Sequence, residues 1–332
     1  MSQIIASNLL ANGLRTEFAD TYAVIRNRQA DSRLGAVMDL GIGATNRQHE
    51  FAYLNAAPHM TYWERGMPIP TDAMDGVQFT VPVHEWARRV PWLKWDRKDD
   101  QTQTLFDMAR MAGESAALLP QRFFFDLLAG TTNTLPAAQL APDGASFFST
   151  TDGGGGARFG VTNGNLLTGT GVATVATILA DYYSALAQWK QMEDGKGQPM
   201  LSDEVIDGGV VIIAPAAMQE VLETAFLQKR QGIVLGTDAG TTPSNIVQDA
   251  SRNVEIWTTS RLTAAGDWYL FLKNPPKKAT FLLNREGVQE FTSLEGDNNG
   301  DHTRTTAEEY VQWETRQGAG IALPYGAMKV NN

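Results

Sequence analysis

Residues 94–130 read KWDRKDDQTQTLFDMARMAGESAALLPQRFFFDLLAG, a pattern that predicts one long helix entered from an acidic cap. Asp99 and Asp100 precede the apolar run, where carboxylates accept hydrogen bonds from free N–H groups and meet the positive end of the helix dipole. Leu105, Met108, Ala109, Ala112, Ala116 and Leu119 recur at helical spacing, which leaves Arg110, Glu114 and Ser115 off the stripe. Pro120 interrupts the pattern and predicts a kink or a helix–helix joint. Phe123–Phe125 and Leu127–Leu128 follow, and Gly130 is a natural stop. Such a helix extends ~30–45 Å at about 1.5 Å per residue. It carries no catalytic constellation and reads as a strut.

The preceding segment has strand-like pieces at His49–Leu54 and Gly76–Val83, on either side of a Pro- and Met-rich tip, MTYWERGMPIPTDAMDG (residues 60–76). It then runs through EWARRVPWLKW (residues 85–95) into the helix. Trp63, Trp86, Trp92 and Trp95 place four of the eight tryptophans here. A two-stranded ribbon cannot bury such aromatics on itself, and isolated hairpins are marginal in water. Either the ribbon folds back over its own domain or it lies across a neighbouring subunit, where Trp and Arg are favoured.

With 332 residues, 43% hydrophobic and 19% charged, the chain can bury a core of one large or two ordinary domains and is not globally disordered. No stretch approaches the ~20 apolar residues that cross a bilayer. The opening MSQIIASNLLANGLR lacks the basic and apolar regions of a signal peptide. There is no cysteine, which removes disulfides, thiolate nucleophiles and Cys-based metal sites. The net charge is −10 and the pI about 4.9. The densest basic pairs are Arg88 with Arg89 and Lys277 with Lys278. Gripping phosphates requires clustered Lys and Arg, so a specific nucleic-acid reader is disfavoured. An acidic protein placed near packaged nucleic acid without gripping it fits.

Residues 1–45 contain a predicted helix, Leu14–Arg28, with Phe18, Tyr22 and Ile25 on one face, and then Gly35, Gly41 and Gly43. They read as an N-terminal arm. Residues 131–170, rich in Thr, Ala, Pro and Gly, read as a partly mobile loop excursion. A compact α/β section begins near Leu166. Val172–Met192 is predicted helical, with Val175, Leu179, Tyr182, Leu186 and Trp189 to one side. Gly208–Ala214 is a buried-strand pattern, and Pro215 opens a second helix through Arg230. Further strands are expected at Asn253–Thr258, Trp268–Leu272 and Ala279–Leu283. Gly287–Leu294 and Thr305–Arg316 read as two strands joined by EGDNNGDH (residues 295–302). The tail GAGIALPYGAMKV closes the chain.

Most catalytic motifs fail. Gly153–Gly156 lack the Gly-Lys-Ser/Thr ending of a nucleotide-binding P-loop, and the glycines at 169–171 lack the third glycine of a dinucleotide fingerprint. Asp297, Asn299, Asp301 and Glu308 match ligand positions of a calcium loop. However, the sixth position, which needs Gly, is His302, and strands rather than helices flank it. The histidines (49, 59, 84, 302) have no metal-ligand spacing, and no GxSxG elbow is present. No catalytic, cofactor-binding or metal residue is assigned. A soluble α/β enzyme with an unrecognised carboxylate pair is the alternative from another class.

The order of parts resembles the major capsid (head) protein of tailed bacteriophages, the α+β HK97-like fold. Within it the chain is similar to the Mu-like major head subunit (gpT) family. The likeness is carried by DMARMAGESAALLPQRFFFDLLAG (107–130), NLLTGTGVATVATILADYYSAL (165–186), VVIIAPAAMQEVLETAF (210–226) and YVQWETRQGAGIALPYGAMK (310–329). The resemblance implies an N-terminal arm (1–46), an extended E-loop (47–97) and a spine helix with peripheral domain (98–159). It further implies an axial domain (160–280) meeting its copies around five- and six-fold axes. Residues 281–332 would return to the peripheral domain, with a P-loop hairpin at local three-fold contacts and a C-terminal strand.

It also implies hexamers and pentamers of an icosahedral shell around double-stranded DNA, held without sequence-specific contact, no membrane and no cofactor. Assembly would occur in the host cytoplasm and end in the virion. Because the chain begins directly with the arm, a separate scaffolding protein, often with a protease, is the expected partner, beside a portal and a decoration protein. Expected assembly contacts are Trp63, Arg65, Trp92, Trp95, Asp297, Asp301 and Arg304. An encapsulin-like cellular nanocompartment is the alternative shell.

Overall fold

A computed structural model of the chain describes residues 2–30, 33–54, 62–65, 67–68, 76–93, 95, 104–171, 173–226, 254–264, 266–273, 275–293 and 305–332. Pro120 sets its first boundary. The predicted strut is two helices, α3 (Thr104–Ala117) and α4 (Leu119–Ala129), with Pro120 in the first turn of the second. Leu118 between them keeps helical angles (φ −79°, ψ −5°), so Pro120 makes a joint and not a stop. Gly130 ends α4 at φ +64°, its N–H donating to the Asp126 carbonyl. The expected acidic cap, Asp99 and Asp100, lies outside the described residues.

Of the apolar stripe the spacing predicts, Ala109 and Leu119 are buried and Leu105, Ala112 and Ala116 half-buried, while Met108 stands outside the contact. Ala109, Gly113 and Ala117 are the buried residues of α3, whereas Met108 is 43% and Met111 68% exposed. The reason is the helix beside it, α1 (Ser2–Ala30). A Cβ at Gly113 would stand 2.7 Å from the Phe18 carbonyl oxygen, so small residues let the two backbones close, and size outweighs hydrophobicity. The arm is therefore docked. Leu14 and Phe18 are buried, and Phe18 stacks on Trp313 at 4.6 Å.

Beneath these helices lies a four-stranded sheet in the order β1–β9–β10–β4. It comprises β1 (Met38–Gly43), β4 (His84–Leu93), β9 (Thr280–Ser293) and β10 (Glu308–Ile321). Two predicted strands, Ala279–Leu283 and Gly287–Leu294, are thus one. The polar run between them hides a strand whose register against β10 shifts between Glu314 and Gln317. EWARRVPWL, given no strand in the sequence reading, forms β4, which pairs with β10 from Leu93 opposite Glu308 to His84 opposite Gln317.

The second sheet has the order β5–β11–β8–β6–β7, from β5 (Leu166–Thr168), β6 (Val210–Pro215), β7 (Val254–Thr259), β8 (Trp268–Leu272) and β11 (Ala327–Asn331). All six β6 residues are buried, as its unbroken apolar run predicts. Helix α5 (Val175–Gln191) covers one face through Ile178, Tyr182, Leu186 and Trp189, and a Thr174–Thr177 capping box starts it. Strand β11 closes the set. It pairs with β8 and β5, so the chain's end completes this sheet.

Residues 131–170, read as a loop excursion, are organised around buried polar groups. Arg158 is 1% exposed and donates to both Asp143 carboxylate oxygens at 2.7 and 2.9 Å and to Asn165 Oδ1 at 2.8 Å. Asn165 in turn donates to the Phe147 and Pro324 carbonyls. A buried cation is tolerable only when paired and hydrogen-bonded in this way.

The ribbon is an antiparallel pair, β2 (Gln48–Leu54) and β3 (Gly76–Pro82), with Phe51 opposite Phe79. Its base packs on its own chain. Val81 and Val83 join Ala44, Phe281 and Leu283, and Phe51 lies 4.6 Å from the Phe281 ring. A Cβ at Gly318 would come within 2.3 Å of the Pro82 carbonyl oxygen, so only glycine lets the ribbon base cross β10 there. Gly318→Val is expected to lower stability by ~1–3 kcal/mol, seen as a lower urea midpoint with unchanged slope. Gly287→Val, where nothing lies within 4 Å of the new Cβ, serves as the control.

Candidate functional site

The surfaces most open to a partner begin at the ribbon tip. Tyr62 is 92%, Trp63 48% and Met67 61% exposed. The Trp63 indole N–H donates to the Met67 carbonyl at 2.7 Å, which fixes a local turn and leaves the ring outward. Glu64 and Arg65 are exposed beside it. The remainder of the tip, residues 55–61, 66 and 69–75, is outside the described residues.

Of the four tryptophans of this section, Trp86 and Trp92 pack on their own chain, while Trp63 and Trp95 are exposed. Trp86 lies tilted against Phe123 at 4.9 Å and donates to the Gln317 carbonyl at 3.0 Å. Trp92, expected as an assembly contact, is 8% exposed and donates to the buried Glu309 carboxylate at 2.9 Å, in a cluster with Leu14, Phe18 and Trp313. Its contacts are inside its own chain, because β4 returns to the sheet. Trp95 is 62% exposed. Asp297, Asp301 and Arg304 lie outside the described residues.

One surface was not anticipated. Between the four-stranded sheet and the spine runs a groove of about 710 Å³, lined by Trp86–Pro91 of β4, Val288 of β9 and Trp313–Thr315 of β10 on one side and by Met108, Met111, Ala116 and Arg122 on the other. Its signal in the sequence was the Arg88–Arg89 pair. Arg89 is engaged, donating to Gln312 at 2.9 Å and lying 4.1 Å over the Tyr310 ring. Arg88 is exposed opposite Trp313. Arg261 is held below the usual guanidinium range by burial and by neighbouring Arg122, so cations gather at this end of the groove.

At the ribbon base, His84, Gln317 and Asn284 form a row across β4, β10 and β9. Each has a buried side-chain atom (His84 Nε2, Gln317 Oε1, Asn284 Oδ1) with no hydrogen-bond partner among the described residues. Burial, and then the nearby Arg47 charge, lower the His84 pKa from its ordinary value. The imidazole is therefore kept neutral where the ribbon joins the sheet.

Residues 76–330 match the family model described as phage capsid protein. The structure is similar to the capsid of the cyanophage P-SCSP1u, with TM-score 0.53 and 10% identity over 90% of this chain and 86% of that one. It is also similar to the capsid of the Myoviridae phage XM1, with TM-score 0.53 and 11% identity over 90% of each chain. A virus-like particle from Pyrococcus furiosus gives TM-score 0.50 and 11% identity over 96% of this chain and 98% of that one. No curated protein matches the chain.

A depressed histidine pKa makes a signed prediction. The stability that comes from holding His84 neutral is complete above its unfolded value near 6.5. It is lost as the pH falls through that value and the lower folded one. Between about pH 7.5 and about pH 5, a window that brackets the ordinary histidine range, wild type should lose more stability than His84→Asn. Equal losses in urea titrations of the two proteins would remove the assignment.

Proposed function

The chain belongs to the phage capsid protein family, and from that premise we propose how its surfaces are used. It is a structural major capsid protein of HK97-like fold, which self-assembles into the icosahedral shell of the virion and is not an enzyme. In our reading the ribbon reaches over a neighbouring subunit. The observation that carries this is the contrast along the ribbon itself. The base is packed on its own chain, while Tyr62, Trp63 and Met67 at the tip stand in water. Covering an exposed aromatic contributes roughly 1.5–3 kcal/mol, and a closed shell repeats that gain at every copy through heterologous contacts.

Trp63 and Trp95 are the proposed aromatic contacts, and Arg65 the proposed intersubunit ion-pair partner. An exposed pair of this kind is worth only ~0–1 kcal/mol, so Arg65 would set register more than strength. Trp92 is not carried into the proposal. The five-stranded section, residues 160–280, would meet its copies around the five- and six-fold axes of pentamers and hexamers. The segment joining β9 to β10, with Asp297, Asp301 and Arg304, would meet its copies at local three-folds. Membership of the Mu-like head subunit family belongs to the same reading. So do assembly in the host cytoplasm with a scaffolding protein and protease, and a portal and decoration protein as partners. The net charge of −10 supports a wall that encloses DNA without trapping it by phosphate contacts.

The likeness to a virus-like particle from Pyrococcus furiosus, at 11% identity, speaks for the fold and does not favour the encapsulin-like alternative. The family match favours the phage head. Deleting Tyr62–Asp75 is expected to leave both sheets folded, by circular dichroism, and to abolish closed particles in electron micrographs. Normal particles from that deletion would overturn the ribbon's role.

A further inference from the structure

One face of β2 carries His49, Phe51 and Tyr53, while Gln48, Glu50 and Ala52 between them are exposed. Burial on that face rises away from the ribbon base. His49 and Phe51 are half-buried, and Tyr53 is 7% exposed. Strand β3 behaves in the opposite way, from Val81 at 3% to Val77 at 38%. Val77 lies directly opposite Tyr53, so the ribbon's second strand does not supply the cover of the Tyr53 ring. Strand β2 leans on the body as β3 lifts from it.

The groups around Tyr53 name the place. Phe51, two residues before it, lies 4.6 Å from the Phe281 ring of β9. Strand β10 passes Phe281 at Gly320 on its way to the turn Pro324–Gly326. Burial, and then neighbouring Tyr325 and Asp143, push the Tyr53 phenol above its ordinary value of 10.0, and Arg158 opposes them. Tyr53 is therefore within electrostatic reach of the buried Arg158–Asp143 pair, which Asn165 ties to the Pro324 carbonyl. Tyr325 packs against the core of the five-stranded sheet, and its carbonyl accepts from the Trp189 indole of α5 at 2.9 Å. One ribbon face thus runs from the four-stranded sheet, at Phe281, to the edge of the five-stranded section, at Tyr325.

We propose that Tyr53 is the positioning residue of the ribbon: its ring pins β2 at the seam between the two sheets and so sets the direction in which the ribbon leaves its own subunit. This rests on the reading that the ribbon reaches a neighbour, and it concerns where the reach starts and not where it lands. A two-stranded ribbon is marginal by itself, and one held only at Pro82 would pivot there. A second attachment further out removes the pivot. Ordering the ribbon in the free subunit also reduces the entropy lost when its tip makes contact. Tyrosine suits a pin of this kind, with an apolar body for the core side and a polar end for the Arg158–Asp143 side.

The chain has no cysteine, so spin labels can be placed at will. Labels at Ala52→Cys on the ribbon and Ala187→Cys on α5, both exposed positions, report the distance between the ribbon and the five-stranded section in dissociated subunits. Tyr53→Phe keeps the ring and should keep a narrow distribution. Tyr53→Ser should broaden it about twofold, as a local opening does, and should yield fewer closed particles than Tyr53→Phe. A residue that only stabilised the fold would lower the urea midpoint without moving the distances. If Tyr53→Ser does not fold, Tyr53→Leu takes its place with the same expectation. An unchanged distribution in the folded variant overturns the proposal. So does a broadened distribution with normal shells, since direction then plays no part in closure. If deleting Tyr62–Asp75 abolishes shells while Tyr53→Ser leaves the distances unchanged, the proposal fails and the wider reading survives. If that deletion leaves shells normal, the wider reading is what fails.

Discussion

Phe123, Phe124 and Phe125 occupy consecutive positions of α4, where side chains diverge by about 100° at 3.6 residues per turn. One partner cannot cover all three, yet they are 0%, 0% and 5% exposed. The helix is therefore enclosed from several sides. Trp86 of the four-stranded sheet meets Phe123, while Trp257 and Phe271 of the five-stranded sheet meet Phe124, and Trp257 also meets Phe125. Leu282, Ala319 and Ile321 from the first sheet and Val211, Ile213 and Tyr269 from the second complete one continuous core. This constraint fixes the two sheets to each other through α4. Because α3 continues from α4 at Leu118, it also sets where the spine, the arm and the groove beside β4 stand.

Elements whose own side chains determine them were legible in the sequence. The Pro120 joint and the Gly130 stop follow from backbone chemistry, and β6 and β8 from short unbroken apolar runs. The helix at Val175–Gln191 follows from its spacing. Features that depend on what lies across from a residue were not. The spine's buried ridge is Ala109, Gly113 and Ala117, because α1 presses its backbone there, and spacing alone favours the larger Met108. Strand β4 carries Arg88, Arg89 and Pro91, acceptable in a strand only at a sheet edge, and edge position is not written in local sequence. The tail gives no sign of which sheet β11 joins. Of the expected contacts, Trp63 and Trp95 are exposed and Trp92 is internal. Their composition is alike, and topology alone separates them.

The charges obey a similar division between interior and surface. Arg158 is buried and held by Asp143 and Asn165, and loss of Asp143 would leave an uncompensated buried cation. At the surface, Arg110 pairs with Glu17 of α1 and with Asp107 of its own helix at 3.4 and 3.3 Å, contacts that water and salt weaken. The arm is therefore seated chiefly by the Phe18–Trp313 stack and the Gly113 approach, with ions setting its register. Burial, the leading influence on Glu290, raises its carboxyl pKa against the opposing charge of Arg15. That order of effects supports the view that the Arg15 contact orients the helix more than it holds it.

Exposed strand edges ordinarily invite indiscriminate association, and this chain keeps two kinds, the outer strand of its four-stranded sheet and both sides of its ribbon. What restrains them is charge sign. The edge strand presents Arg88 and Arg89, and the ribbon is rich in carboxylates. Like charge along an edge disfavours its pairing with a second copy of itself. An isologous contact would join a surface to itself and close at two copies. A contact between two different surfaces of one subunit propagates from copy to copy and closes only as a ring or shell. A subunit of a closed shell is therefore better served by edges that do not pair with themselves than by a self-complementary one.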